Sequence, residues 1–348
     1  MKQVLEFLNS GAIDYANTDW YRFLGFCDFH RISGYICDRL NKSALPPQVV
    51  RHLKAQKNYQ KMRGKVLYAA ACELETALGK AGISHAFLKG SALNGVLYSG
   101  GERDSNDVDL LIEPENVGRV GKILEELGYV QGIYKDGVIE KFSRKEIISR
   151  RMNRGETAPY VRLTEDDFVP FLEIDINFSL DWLPTSNTRA VGAFLHHTEK
   201  CENGLTCLNR AYSLAFLCAH LYKEATILSM VKRYKDIEIY KYLDIFKLYP
   251  LTNVYEFERV IKEFGLEKEC GYALYFTAQL FPKLGIRAPL PEEAYEVADP
   301  EAGGRKYVWE MDFFERLEDT NRVRFLFEPS KRSDRTDTLY RKVSGGAL

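Results

Sequence analysis

Apolar side chains recur at helical spacing in the first part of the chain. Between Trp20 and Leu40 they return every three or four positions. Residues 48–82 then form one long stretch without an internal proline, with many Lys and Arg at its polar positions and a glycine, Gly82, at its end. We predict a helical region over residues 1–82, in which the charges of the long helix form a solvated face.

The pattern changes at residue 83, where short apolar runs begin to alternate with helical stretches. Such alternation is typical of an α/β or α+β sheet domain. Strands are predicted at 83–88, 108–112, 129–134, 138–143, 158–163 and 170–180, with helices at 91–98 and 115–127. We expect this sheet domain to cover residues 83–185.

Helical patterns return in residues 186–285, which we predict to be a C-terminal helical domain. A hairpin-like stretch at 201–208 precedes helices predicted at 209–228, 231–247, 254–264 and 266–281. Residues 286–348 are rich in proline, glycine and charge, and we expect an irregular segment with a loosely ordered tail. The predicted fold class is therefore α+β, a sheet domain between two helical regions.

Two carboxylates interrupt an otherwise apolar strand in the run DVDLLI, residues 107–112. Because strand side chains alternate between faces, Asp107 and Asp109 point to one side while Val108 and Leu110 face a core. Two like charges about 7 Å apart repel each other, and a divalent cation relieves that repulsion. Mg²⁺ is the expected ion, with Mn²⁺ as the alternative, because it combines carboxylates with substrate phosphates and water.

The run Lys89-Gly90-Ser91 follows an apolar strand and begins a helical stretch. Gly90 permits close approach of a ligand to the backbone, and the free N–H groups at a helix start suit phosphate oxygens. Ser91 caps the helix or binds a phosphate oxygen, and Lys89 adds positive charge. We predict that these three residues bind the phosphates of a nucleotide.

A third carboxylate is expected from the strand PFLEIDINFSL, residues 170–180. Glu173 and Asp175 share its polar face, and a neighbouring strand position would bring Asp175 beside Asp107 and Asp109. There it could hold a second metal ion and accept the proton of an attacking hydroxyl. Glu173 is the rival candidate for this role.

These sequence motifs resemble those of a known superfamily and, more closely, those of one bacterial family within it. The Gly90-Ser91 turn, the Asp107-x-Asp109 strand and the distant Asp175 resemble DNA polymerase β-type nucleotidyltransferases, although the gap from Ser91 to Asp107 is a little longer than usual. Most of the chain resembles a bacterial family described as uncharacterised nucleotidyltransferases. The matching positions are Trp20, His30, Leu40, Leu88-Lys89-Gly90, Leu93, Leu97-Tyr98, Arg103, Asp107-Val108-Asp109-Leu110-Leu111, Asp175, His220 and Leu243-Asp244-Ile245.

The resemblance implies a polymerase β-like sheet domain and further nucleotide-binding residues. Arg103 would contact phosphate or hold the site together. His220, which on pattern alone is a core histidine, and Asp244, which needs a partner in its apolar helix, would join the nucleotide site. Asn177 departs from the family, which often has His there, so the acceptor of this chain is expected to differ.

Composition limits the classes of function. Among 348 residues, 48 Lys and Arg balance 49 Asp and Glu, which argues against a nucleic-acid coat protein. The seven cysteines lack CxxC spacing, so we expect reduced thiols in a cytoplasmic protein and no zinc site. The N-terminus has no signal-peptide pattern, and no apolar run is long enough to span a membrane.

The expected activity is Mg²⁺-dependent transfer of a nucleoside monophosphate, AMP from ATP, to a hydroxyl or phosphate. The expected acceptor is a small molecule, a sugar or a peptide. The stretch RDSNDVDL at 103–110 also resembles toxin-like nucleotidyltransferases of abortive-infection systems. One alternative is therefore a toxin-like enzyme that modifies tRNA or protein, and another is a catalytically inactive nucleotide-binding module.

Overall fold

The computed structural model describes residues 2–153, 155–180, 188–226, 230, 233–286, 306–309, 312–316 and 340–343. The chain divides into two compact units. The first unit comprises Met1–Ile32, Asn41–Val49 and Leu214–Leu348, and the second comprises Ser33–Leu40 and Val50–Ser213. This division does not test the domain boundaries predicted from the sequence, at residues 82, 185 and 285, and these stay a prediction.

The second unit is built on one mixed sheet. Its strands are β1 (His85–Leu88), β2 (Val108–Ile112), β3 (Val130–Lys135), β4 (Val138–Lys141), β5 (Tyr160–Leu163), β6 (Phe171–Asn177), β7 (Thr198–Lys200) and β8 (Thr206–Leu208). The strand order is β4-β3-β5-β6-β2-β1-β8-β7. Parallel pairing joins β2 to β6 and β1 to β8, and the other neighbouring pairs are antiparallel. The predicted α+β class is confirmed.

The central strand β2 shows why the sequence folds this way. All five of its residues are buried, as expected for a strand covered on both faces. Leu110 and Ile112 belong to a core that also contains Leu74 and Leu78 from the long helix. The 3.6-residue period of that helix directs one apolar stripe at the sheet and leaves its charged residues outside.

The helices of the second unit include one very long one. They are α3 (Ser33–Cys37), α4 (Pro47–Lys80, of which the first residues belong to the first unit), α5 (Lys89–Leu93), α6 (Val117–Glu126), α7 (Arg144–Asn153) and α8 (Thr188–Leu195). Helix α4 confirms the prediction for 48–82. Proline suits its first position because that N–H has no intrahelical partner, and Gly82 just beyond its end adopts a left-handed φ of +62°.

Helix α7 was missed by the hydrophobic pattern, because its residues lack an apolar period. Its signal lies at its start, where the backbone N–H of Ser143 donates to Glu146 and the hydroxyl of Ser143 accepts from the Glu146 N–H. This reciprocal arrangement is a capping box, which satisfies two backbone donors at a helix N-terminus.

The first unit is mainly helical. Its helices are α1 (Lys2–Ser10), α2 (Trp20–Phe29), α9 (Arg210–Thr226, from Leu214 on), α10 (Ile239–Leu248), α11 (Val254–Phe264) and α12 (Glu267–Leu280). The predicted helix over 231–247 starts too early, since Tyr234 has a left-handed φ of +61° and a 3₁₀ turn at Lys235–Ile237 precedes α10. Residues 231 and 232 lie outside the described residues.

The C-terminal segment was predicted to be irregular, and three short strands correct this prediction in part. They are β9 (Lys306–Trp309), β10 (Asp312–Arg316) and β11 (Tyr340–Val343), paired antiparallel in the order β11-β10-β9. The remaining residues from 287 onward lie outside the described residues. In the described part of the chain, no helix combines the length and the apolar character needed to cross a lipid bilayer.

Candidate active site

Three aspartates converge on the central strands of the sheet. In the parallel pair of β2 and β6, Asp109 lies directly beside Asp175, and Asp107 comes one residue before β2 begins. One carboxylate oxygen of each lies within 4.8 Å of the others. We call Asp107, Asp109 and Asp175 the acidic triad. The sequence predicted that these residues would meet, and the sheet order brings them together.

Burial and mutual repulsion raise the pKa values of Asp109 and Asp175. Desolvation is the largest cause for Asp109, whose pKa rises to about 6, and the Asp107 charge adds to it while Lys89 opposes it. The pKa of Asp175 is raised well above its usual range by burial, then by the charges of Asp107, Asp109 and Glu173. Carboxylates crowded in this way favour a bound cation. The triad therefore fits a divalent cation with hard oxygen ligands.

Lys89 forms an ion pair with the triad. Its Nζ lies 2.6 Å from Oδ1 of Asp109, and its side chain is only 17% exposed. Its backbone has a φ of +46°, a left-handed conformation that costs free energy for a residue with a Cβ. The fold holds that strained conformation at the turn between β1 and α5, where it directs the ammonium group at Asp109. Its predicted contact with phosphate stays a prediction.

Gly90 is required by close packing. A Cβ at this position would lie 2.2 Å from Oγ of Ser105 and 2.7 Å from Nη1 of Arg103, while its φ is not left-handed. Arg103 is buried and donates to the Ser105 hydroxyl at 2.7 Å, and Asn94 donates to the same oxygen at 3.0 Å. Arg103 and Ser105, both in the loop that leads into β2, thus pack closely on Gly90, and the bond from Asn94 joins the two segments.

Glu173 lies near the triad but is not part of it. Burial, followed by the charges of Asp107 and Asp109, raises its pKa to about 7, and Arg63 opposes the shift. The grouping of carboxylate oxygens within 4.8 Å contains Asp175 and not Glu173. This geometry favours Asp175 as the third carboxylate.

Asn177 ends strand β6 on the face of Asp175, two residues further along. It is 3% exposed, and its Nδ2 has no hydrogen-bond partner among the described residues. A buried donor without a partner is costly in free energy. This amide is therefore a candidate contact for a second substrate beside Asp175.

A cavity of about 290 Å³ opens next to the triad. Asp107 lies at its wall together with Gly90, Ser91 and Arg103, four of the residues predicted from the sequence. Helix α4 also lines the cavity, through Gly64, Lys65 and other residues. A volume of this size lies near the lower end of the range for small-molecule sites.

His220 and Asp244 belong to the first unit, so the geometry of the second unit neither includes nor tests them. His220 lies on α9 with its Nε2 3.7 Å from Oε2 of Glu224, and its ring stacks on Phe216 at a centroid distance of 6.2 Å. Asp244 is 2% exposed on α10. Their predicted roles in nucleotide binding stay predictions.

Sequence reasoning missed several residues that shape the site. Asn203, at the turn between β7 and β8, donates to the backbone oxygens of Ser91 at 2.9 Å and Asn94 at 3.2 Å. Arg63 on α4 donates to the Asn106 oxygen at 3.0 Å, just before Asp107. The signals were an Asn-Gly turn at 203–204 and a lone glycine, Gly64, inside a basic helix. Neither pattern indicates which distant residues Asn203 or Arg63 contacts.

Comparison with known proteins gives one match. The family model described as "Uncharacterised nucleotidyltransferase" matches residues 16–282, which is more than half of the chain and contains every predicted site residue. The chain matches none of the curated proteins and none of the solved structures.

Proposed function

This chain belongs to the uncharacterised nucleotidyltransferase family, and on that premise we propose that it transfers AMP from ATP to an acceptor in a Mg²⁺-dependent reaction. The observation that carries the proposal is the acidic triad, whose carboxylate oxygens lie within 4.8 Å of each other at the edge of a cavity. The acceptor is a hydroxyl or phosphate of a small molecule, a sugar or a peptide.

The residues of the second unit divide the work of the reaction. Asp107 and Asp109 would hold the divalent cation, which neutralises charge on the donor phosphates when bound. Gly90 and Ser91 line the cavity and receive the triphosphate, while Arg103 fixes their turn. Most of the rate enhancement in such a site comes from positioning and charge stabilisation.

The chemical step is an in-line displacement at the α-phosphorus. The acceptor oxygen forms a bond to that phosphorus, and the bond from phosphorus to the oxygen bridging to the β-phosphate breaks. Pyrophosphate leaves with the bonding electron pair. Asp175, with a pKa well above its usual range, takes the proton of an acceptor hydroxyl, and Asn177 beside it orients that acceptor.

An inactive nucleotide-binding module is the less favoured alternative. That interpretation requires the third carboxylate to lie away from the site, whereas Asp175 is paired with Asp109 across two neighbouring strands. The toxin-like alternative uses the same donor chemistry and differs in its acceptor. Transfer assays with sugars, peptides and tRNA as separate acceptors therefore distinguish it from the proposed function.

Binding of ATP in the presence of Mg²⁺, measured by calorimetry, tests the donor site. We expect the wild type to bind ATP only with Mg²⁺ or Mn²⁺. In the double variant Asp107→Asn/Asp109→Asn, we expect that adding Mg²⁺ or Mn²⁺ no longer promotes ATP binding. Glu173→Gln is the matched control, because it removes a neighbouring carboxylate on the face of Asp175 and leaves the triad intact. Failure of the wild type to bind any nucleoside triphosphate with either ion would refute the proposal.

Transfer itself is tested with ATP labelled at either the α- or the γ-phosphate. Nucleotidyl transfer places only the α-label on the acceptor and releases pyrophosphate, whereas phosphoryl transfer places the γ-label there. Sugars, peptides and tRNA are offered in separate reactions. We expect Asp175→Asn to keep ATP binding and to lose transfer, since its carboxylate is assigned to the acceptor.

A further inference from the structure

Helix α4 lines the cavity beside the triad with residues from three of its turns. Gln60, Lys61, Gly64, Lys65 and Tyr68 contribute to that lining at the spacing of a single helical face. The basic helix, which the sequence predicted to be merely solvated, thus presents part of its charge to the candidate active site.

The cations nearest the triad are already engaged with protein groups. Lys89 lies 2.6 Å from Asp109, and Arg103 donates to Ser105 at 2.7 Å while it packs over Gly90. By contrast, the side chain of neither Lys61 nor Lys65 makes an ion pair or hydrogen bond with any other residue that the structure describes. The uncommitted positive charge of the cavity is therefore on α4.

The loop before β2 is fixed along this helix. A Cβ at Gly101 would lie 2.3 Å from the backbone oxygen of Lys57, and one at Gly100 would lie 3.4 Å from Cγ of Lys61. Gly101 also has a left-handed φ of +83°, which glycine adopts without strain. The stem of Lys61 thus packs near the loop that carries Arg103 and Asp107, and Lys61 also lines the cavity.

One buried polar atom in the wall without a partner indicates a ligand. Oε1 of Gln60 is buried and has no hydrogen-bond partner in the described part of the chain. Gly64, between the two lysines, has open space where a Cβ would stand. The two lysines suit a bound anion, and the unpaired Oε1 of Gln60 would accept a hydrogen bond from an N–H or O–H group of the same ligand.

We propose that Lys61 and Lys65 bind the β- and γ-phosphates of the nucleoside triphosphate, the part that leaves as pyrophosphate. The inference rests on the proposed function and adds two binding residues that lie outside the triad and the Lys89-Gly90-Ser91 turn. The two lysines are one helical turn apart, about 6 Å along the axis, and a chain of phosphates can bridge them. Asp107 at the same cavity marks the α-phosphate end.

The test compares ATP with AMP as probes, both with Mg²⁺, by calorimetry on the full chain. In Lys61→Gln/Lys65→Gln we expect ATP affinity to fall roughly tenfold or more, which is the usual effect of losing charge-assisted hydrogen bonds. AMP affinity should stay within about twofold, since AMP lacks the phosphates in question. Lys61→Arg/Lys65→Arg keeps both positive charges and should retain the ATP affinity of the wild type. ATP binding by the Gln variant should depend less on salt concentration than that of the wild type.

Lys54→Gln is the matched control, because Lys54 is exposed on the same helix and does not line the cavity. Gln and Lys have similar helix propensities, so α4 stays intact in both variants. ATP affinity equal to that of the wild type, or an equal loss for ATP and AMP, would overturn the inference and leave the proposed function standing. If the wild type binds no ATP, both fail together.

Discussion

The carboxyl of Glu173 gives a quantitative test of the electrostatics around the triad. Burial and the charges of Asp107 and Asp109 raise its pKa from 4.5 to about 7 in the folded protein. Below pH 4.5 the group is protonated in both states and has no effect on unfolding. As pH rises from 4.5 to 7, the unfolded chain ionises while the folded one does not, so ionisation stabilises the unfolded state.

The expected loss of stability follows from the size of that shift. A change from 4.5 to about 7 corresponds to about 3 kcal/mol, lost across this pH window and still missing above it. Glu173→Gln removes the titrating group. We therefore expect the variant to match the wild type near pH 4.5 and to exceed its free energy of unfolding by about 3 kcal/mol at pH 8.

Urea unfolding in EDTA, at several pH values from 4.5 to 8, measures this difference. EDTA is needed because a cation bound to the triad would also lower the pKa of Glu173. Glu165→Gln, which removes an exposed carboxylate of the same unit, should leave the pH profile unchanged. If the free energy of unfolding of Glu173→Gln and of the wild type changed with pH in parallel, the pKa of Glu173 would not be raised in the folded protein.

Three further predictions concern the walls of the cavity. Gly90→Ala should destabilise the protein by about 1–3 kcal/mol in urea unfolding, because its Cβ would lie 2.2 Å from Oγ of Ser105. Gly79→Ala in α4, with open space around it, should show no loss. Gly64→Leu should weaken ATP binding in calorimetry without lowering the thermal midpoint, since it fills the cavity and not the core. Asn203→Ala should cost about 1–3 kcal/mol of stability, because it leaves the backbone oxygens of Ser91 and Asn94 without their donor.

Local pattern explains the parts of the fold that the sequence predicted well. Strand β2 coincides with the predicted 108–112, and α11 with 254–264. Both follow from a local pattern, namely the alternation of side chains along a strand and a 3.6-residue apolar stripe along a helix. The placement of Asp107 and Asp109 on one side of β2 follows from the same alternation.

Other elements depended on single residues or caps that the hydrophobic period does not record. Tyr234, in a left-handed conformation, delays the start of α10, and the Ser143 and Glu146 capping box starts α7. A side chain that reverses the backbone or bonds to it can override the propensities of its neighbours.

The sequence by itself determined the chemistry available to this protein, and the tertiary structure decided which groups share a site. The order LKGS, DVD and EID indicated the family and placed Asp107 and Asp109 on one side of the chain at the start of β2. Only the parallel pairing of β2 with β6 set Asp175, and not Glu173, against Asp109. Only the packing of α4 along the loop at Gly100 and Gly101 brought its lysines to the cavity, because contacts between distant segments depend on sheet order and helix packing that no local period encodes.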